Sequence, residues 1–464
     1  MLSLDTARAD RFGCCGYSLP TTPYLDGMAG QGALFERAYA SDIPTEVAHT
    51  TIFTGRVGLS TGVVAHGSDL SQLSREHAWL PLLLRRAGYT TAAVDNLYQL
   101  KEWFARGYQY YINTAGERRW IDGRTVTDRA KAWIREHADE DFFLFVHYWD
   151  PHTPYLPPDA YARIFYPAGD PFDPQNRSMN AAYGHRAYPF FKHHHYDLLG
   201  PVTDVQYLNA LYDAELRYLD DLLRELDGFL GEQGIREDTL LIVFGDHGES
   251  LTEHDIYWDH CGLYEPTVRV PLIVRWPGRI APGLRARGFV QHADLMPTVL
   301  EAAGIAVPPQ LDGRSLWPVL QGRAEGAHAE VFLSECAWQA ARGVRTEDYK
   351  FIRTRDPGLF VRPQRELYDL RADPGETRNL AGERPAVAQE LERRLDDWVA
   401  GKLGGRPDPM ETVLRERGLP FRRRIDAILA EVGWEWESWS REPDRARYDA
   451  AWEARRKGAG THAG

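Results

Sequence analysis

Apolar and polar positions along this chain follow two periods in turn. Short runs rich in β-branched and aromatic residues, at 90–94, 142–148 and 241–245, have the length and composition of buried strands. Stretches at 80–87 and 208–226 instead carry the 3.6-residue spacing of amphipathic helices. This alternation predicts an α/β fold, a large mostly parallel sheet sandwiched by helices. Later runs at 330–333, 343–345, 349–352 and 366–368 predict a smaller antiparallel sheet, closed by a helix over about 385–399. The expected organisation is a large domain over 1–325, a small α+β unit over 326–402 and an extension over 403–464. That extension holds Trp434, Trp436, Trp439 and Trp452, which call for docking on the same chain or on a second copy of it, a homo-oligomer contact. Residues 156–200, rich in Pro, Tyr, Asn and His, read as an insertion over the sheet edge, with His193-His-His195 as surface loop.

Four segments end in groups that bind or transfer charge. Leu241-Ile-Val-Phe-Gly245 stops at Asp246-His247-Gly248, Met1-Leu-Ser-Leu4 leads into Asp5, and the run at 142–148 continues to Asp150-Pro-His152. In an open α/β sheet, ligands sit just beyond the carboxyl ends of the strands. Carboxylates and imidazoles placed there are suited to hold a metal ion. The fourth segment has Pro44 before a helical pattern that ends near Gly55. Proline is tolerated at a helix entrance and glycine favoured at its exit, so Thr45 falls at a helix start that attracts anions. His49, four residues on, shares a face with Thr45. A hydroxyl at such a start, with carboxylates and imidazoles at several strand ends, describes a metal-assisted hydrolase.

Composition narrows the class. Apolar residues make up 43% of the 464, enough for a large core. No apolar run reaches the roughly 18 residues that a membrane helix needs, so no membrane partner is expected. Position 1 leads straight into the first strand without a signal peptide; that strand is short for its role, which leaves open whether residues precede it. Cys14, Cys15, Cys261 and Cys336 show neither zinc spacing nor disulfide density, and a reduced cytoplasmic setting is expected. The charge is 54 − 67 = −13, without the basic bias of a nucleic-acid binder. A small anionic ester drawn into a local cluster suits this balance.

The order of these segments resembles the sulfatase family of the alkaline phosphatase superfamily. Leu-Asp-Thr-x-Arg-x-Asp-x-x-Gly at 4–13, Thr22-Pro-Tyr-Leu-Asp26 and the helix ending Thr54-Gly-Arg56 resemble its opening. Asp246-His-Gly-Glu249, Arg269-Val-Pro-Leu-Ile-Val274, His292-Ala-Asp-Leu-Met-Pro-Thr298, Leu311-Asp-Gly-Arg-Ser315 and Glu366-Leu-Tyr-Asp-Leu370 continue it over roughly the first 400 residues. The resemblance implies an alkaline phosphatase-like fold and a divalent cation on Asp5, Thr45, Asp246 and His247. A histidine in that set suits zinc or manganese better than an all-oxygen calcium site, with calcium and magnesium left open. His49 stands where the family has an arginine, and is expected to orient or deprotonate Thr45. His152 matches a histidine that contacts the substrate oxyanion, His260 a lysine that binds sulfate or phosphate, and His66 a substrate contact of phosphonate monoester hydrolases.

Departures from the pattern shape the expected chemistry. The second aspartate of the opening pair is Thr6, and a Lys-x-His is replaced by Asn96-Leu-Tyr98. Usual family members oxidise Cys or Ser at the nucleophile position to formylglycine. Threonine, a secondary alcohol, would give a ketone, so Thr45 is expected to attack as an alkoxide, as in nucleotide pyrophosphatase/phosphodiesterases. Asp150, His152 and His260 could hold a second cation, but Asp-x-His is shorter than the spacing of two-metal relatives, which favours one ion. Phosphodiester or phosphonate monoester hydrolysis through a covalent Thr45 intermediate is therefore expected first, sulfate ester hydrolysis by the same alkoxide second. A non-catalytic anion-binding relative is the third reading.

Overall fold

A computed structural model of the chain describes residues 1–113, 121–193 and 197–460. In chain order the strands that matter here are β1 (Leu2–Leu4), β2 (Ala33–Phe35), β3 (Asp42–Ile43), β4 (Thr90–Val94), β5 (Tyr110–Ile112), β6 (Phe142–Tyr148), β7 (Leu241–Gly245), β8 (Leu272–Arg275) and β9 (Leu284–Ala286). They are followed by β10 (Val331–Cys336), β11 (Ala340–Arg345), β12 (Tyr349–Asp356) and β13 (Arg365–Asp369). The helices that carry or cover the site are α1 (Thr45–Thr54), α2 (Gly123–His137), α3 (Val205–Glu232), α4 (Pro385–Leu403), α5 (Pro420–Ala430) and α6 (Arg445–Gly460).

Eight strands form the large sheet in the order β9-β2-β8-β7-β1-β6-β4-β5. The run from β7 through β5 is parallel, and β8 is antiparallel to both of its neighbours. Helices flank this sheet, as the alternating periods require. β1 lies at its centre, with Leu4 level with both Tyr148 of β6 and Gly245 of β7. Buried on both faces, these central strands are apolar almost throughout. The register matters because it brings their carboxyl ends, and hence Asp5 and Asp246, to one place.

The second sheet runs β13-β12-β11-β10-β3. β10 to β13 pair antiparallel, as their alternating pattern predicts, and α4 packs on them through Leu391 and Leu395. Its fifth strand comes from far upstream: Asp42 and Ile43 pair in parallel with Ser334 and Glu335. The small unit thus includes the two residues just ahead of Pro44 and the helix start at Thr45.

Of the two docking modes expected for the extension, these contacts are with its own chain. Trp439 is fully buried and donates Nε1–H to the Arg186 carbonyl at 2.8 Å, while Tyr188 donates its hydroxyl to Asp449 at 2.8 Å. The His193 ring centroid lies 4.1 Å from that of Trp452, the rings tilted by 46°, and His193 bonds Tyr448, so it is a packing residue; His194 and His195 lie outside the described residues. No described helix is long and apolar enough to cross a membrane.

Candidate active site

The site forms where β1, β6 and β7 end and α1 begins. Gly248 lets the chain turn after β7, since a Cβ there would overlap the Pro266 carbonyl. Asp246 Oδ1 accepts the main-chain N–H of Thr6 at 3.2 Å and of His247 at 2.8 Å, which locks the strand ends together. The His247 Nδ1–H donates to the Gly248 carbonyl at 3.0 Å. That bond fixes the tautomer and leaves Nε2 as the acceptor nitrogen. Thr45, first residue of α1 and only 2% exposed, donates its hydroxyl to this Nε2 at 3.0 Å. The same nitrogen lies 3.4 Å from Asp246 Oδ2 and 3.8 Å from Asp5 Oδ1.

Asp5, Asp246 and His247 offer ligand atoms within 4.8 Å of one another. Both Asp5 oxygens and Asp246 Oδ2 are buried without a hydrogen-bond partner. Burial raises the pKa of both carboxyls, and for Asp246 the charge of Asp5 raises it further. Orphaned carboxylate oxygens converging on one imidazole fit a divalent cation, which supplies the compensation the protein does not. The Thr6 hydroxyl, in place of the family's second aspartate, is a further orphan beside them.

Two expected residues take other places. His49 donates Nδ1–H to the Thr45 carbonyl at 2.9 Å, and its Nε2 accepts from the Ser3 hydroxyl at 2.9 Å. Burial lowers its pKa to about 3. With both nitrogens engaged, His49 can position Thr45 through its main chain, but it is not placed to deprotonate the hydroxyl; that expected role is corrected. Asp150 does not join His152 and His260: its carboxyl lies against Gly123 at the start of α2 and beside Glu215 of α3, and burial raises its pKa to about 7. The expected second-cation trio is therefore not assembled.

The remaining histidines do gather. The His260 ring centroid lies 4.9 Å from that of His247 and 5.0 Å from that of His152. His152 donates Nδ1–H to the Thr153 carbonyl at 2.6 Å, which leaves Nε2 to present a proton only when the ring is charged. His66 accepts the Glu46 N–H at 3.2 Å and so sits at the start of α1. Burial, then repulsion from His247, His152 and Arg424, lowers its pKa to about 3.

Sequence reasoning missed His147 and Glu249. His147 Nε2 lies 3.2 Å from Asp5 Oδ2, and with His49 and Asp246 the ring forms a second cluster of potential ligands under the first. Its signal was available: it is a lone imidazole in an otherwise apolar and aromatic run. Glu249 Oε1 accepts from Tyr155 at 2.8 Å, and Oε2 is 3.4 Å from His260 Nδ1.

Comparison with known proteins decides the family. The sulfatase family matches residues 1–305, about two thirds of the chain, and the N-sulphoglucosamine sulphohydrolase C-terminal family matches 252–400. The chain belongs to the sulfatase family. This places it in the alkaline phosphatase superfamily, as an ester hydrolase of the sulfatase or phosphonate monoester hydrolase type. Among relatives, an N-acetylglucosamine-6-O-sulfatase of Bacteroides thetaiotaomicron is 24% identical, covering 88% of this chain and 87% of its own. The multifunctional alkaline phosphatase superfamily protein PehA of Trinickia caryophylli is 29% identical over 58% of this chain and 56% of its own. A phosphonate monoester hydrolase from Silicibacter pomeroyi superposes with a TM-score of 0.70 at 22% identity, covering 89% of this chain and 96% of that one. A protein solved with its substrate D-glucosamine-2-N,6-O-disulfate gives 0.72 at 21% identity, over 88% and 98%. At these identities the superpositions establish the fold.

Proposed function

We propose that this sulfatase-family chain hydrolyses sulfuric esters through a covalent intermediate on Thr45. The observation that carries the reading is the buried Thr45 hydroxyl, 3.0 Å from His247 Nε2 beside the orphaned oxygens of Asp5 and Asp246. Relatives named as sulfatases support the sulfate preference, including an ulvan-active sulfatase of Formosa agariphila, 25% identical over 84% of this chain and 77% of its own. This reverses the order expected from the sequence, which put phosphodiesters and phosphonates first.

Asp5, Thr45, Asp246 and His247 would hold a divalent cation, zinc or manganese by donor type, which supplies Lewis acidity that makes the hydroxyl more acidic and polarises the ester. His49 fixes the Thr45 main chain from below. The Thr45 proton passes to solvent, Oγ1 bonds to sulfur, and the bond from sulfur to the alcohol oxygen breaks. His260, steadied by Glu249, protonates the departing oxygen. His152, its proton held on Nδ1 by the Thr153 carbonyl and its pKa lowered by burial, offers Nε2 as an acceptor. Water then attacks sulfur, the S–Oγ1 bond breaks, and sulfate leaves with the Thr45 hydroxyl restored.

One observation favours a second reading, hydrolysis of phosphodiesters or phosphonate monoesters: Thr45 is a secondary alcohol, closed to the aldehyde chemistry of usual family members. A panel of aryl sulfate, phosphate, phosphodiester and phosphonate esters, assayed with Mn²⁺, Zn²⁺ or Ca²⁺, separates the two. Turnover of the sulfate above the diester is expected; the reverse selects the second reading. Equal inertness of wild type and Thr45→Ala would leave only anion binding.

A further inference from the structure

His147 is the exception in its own strand. The rest of β6 is apolar or aromatic, and His147 pairs in register with Ser3 of β1. His49 of α1 meets both residues. It accepts from the Ser3 hydroxyl at 2.9 Å, and its ring centroid lies 4.8 Å from that of His147. The Trp149 ring adds a further contact at 4.8 Å. His147 is fully buried, and neither of its nitrogens makes a hydrogen bond. An imidazole held there without a partner costs stability that an apolar side chain would not.

The group that it faces accounts for its presence. Nε2 lies 3.2 Å from Asp5 Oδ2, a hydrogen-bond separation without the alignment of one, so both atoms remain orphaned. The other oxygen of Asp5, Oδ1, is 3.8 Å from His247 Nε2, the nitrogen that also receives the Thr45 hydroxyl. The carboxylate thus lies between two imidazoles, one oxygen toward each. Asp246 is held differently, since its Oδ1 accepts the main-chain N–H groups of Thr6 and His247. His49, His147 and Asp246 do bring ligand atoms together, but both nitrogens of His49 are already committed to Thr45 and Ser3. His147 is left with Asp5.

We infer that His147 is the positioning residue of Asp5: with its proton on Nε2 it donates to Oδ2 and holds Oδ1 toward the cation. Carboxylates that ligate a metal are themselves hydrogen-bonded from behind, and losing that outer partner loosens the metal. His147 touches neither ester nor cation and acts through Asp5 alone. The inference rests on the cation reading of Asp5, Asp246 and His247, and is independent of which ester is cleaved.

The test is Mn²⁺ binding to the full-length, cation-stripped protein by calorimetry, with the urea unfolding midpoint measured alongside. His147→Phe keeps a ring and His147→Ala removes it; both lose Nε2. Each should raise the Kd for Mn²⁺ about 10–100-fold. The midpoint of the stripped His147→Phe protein should hold or rise, because a buried unpaired polar group has gone. His147→Gln, whose side-chain amide can donate in place of Nε2, should recover part of the affinity. An unchanged Kd in His147→Phe and His147→Ala overturns the inference, as does a weakening confined to His147→Ala, which would mark packing. A Kd no better in His147→Gln than in His147→Phe also overturns it, since the donor would then be immaterial. Wild type that binds no Mn²⁺ would sink the cation and this role together. Binding that depends on His147 in a protein inert toward every ester would sink the proposed reaction and leave the role standing.

Discussion

Replacing Asp246 by asparagine separates a cation site from a merely packed polar core. The substitution keeps the shape of the side chain and the Oδ1 that accepts from Thr6 and His247. It converts the orphaned Oδ2, 3.4 Å from His247 Nε2 and 3.6 Å from His49 Nδ1, into an uncharged amide nitrogen. In cation-free protein this removes a buried charge beside Asp5, so stability should hold or rise, by about 1–2 kcal/mol. In loaded protein it removes a ligand. A cation at about a hundred times its Kd stabilises the native state by roughly 2.7 kcal/mol. For a chain of this length that corresponds to a midpoint shift of about 3 °C, extending the usual size scaling. Scanning calorimetry with and without chelator measures it. Chelation should lower the wild-type midpoint by that amount and leave Asp246→Asn unmoved. An equal chelator response in both proteins, or none in the wild type, would refute a cation on these side chains.

Other outcomes follow from single contacts. Gly248→Ala forces a Cβ into the Pro266 carbonyl, so urea unfolding should show a loss of about 2–4 kcal/mol and turnover should fall with it. Glu335 is buried and its carboxyl is held up to about 8, so the folded state keeps a proton that the unfolded chain releases in the ordinary range. Its contribution to stability is full below that range, declines as pH climbs toward 8 and is flat above. Glu335→Gln should remove the decline and gain roughly 2–4 kcal/mol over wild type above pH 8, read from unfolding midpoints across pH. Trp439→Ala should cost about 3–5 kcal/mol and expose the extension to proteolysis; unchanged cleavage would contradict its docking on Arg186.

The parts of the site legible in the sequence are those that secondary structure itself places. Asp246 follows a run whose composition marks a buried strand, Asp5 follows a shorter one, and Thr45 follows a proline at a helix entrance. Asp150 was misplaced because it lies in irregular chain, where no period says which way a carboxyl turns. His49 was set on the right helical face, but i to i+4 spacing brought its ring to the Thr45 carbonyl as readily as to the hydroxyl. His147 escaped notice because an apolar run was read for its period and not for its exception. The stacking of Phe421 on Trp338 and His66 joins residues more than 80 positions apart, and nothing local announces such a meeting.

The loan of Asp42 and Ile43 to the distant C-terminal sheet has a mechanical consequence. What reads along the chain as a catalytic body with an appendage is, at the attacking oxygen, a single truss. The peptide that aims the threonine is bolted at one end to a sheet assembled nearly 300 residues later. Removing the chain beyond residue 325 would spare every acid and imidazole of the cluster and still leave the nucleophile without its mooring.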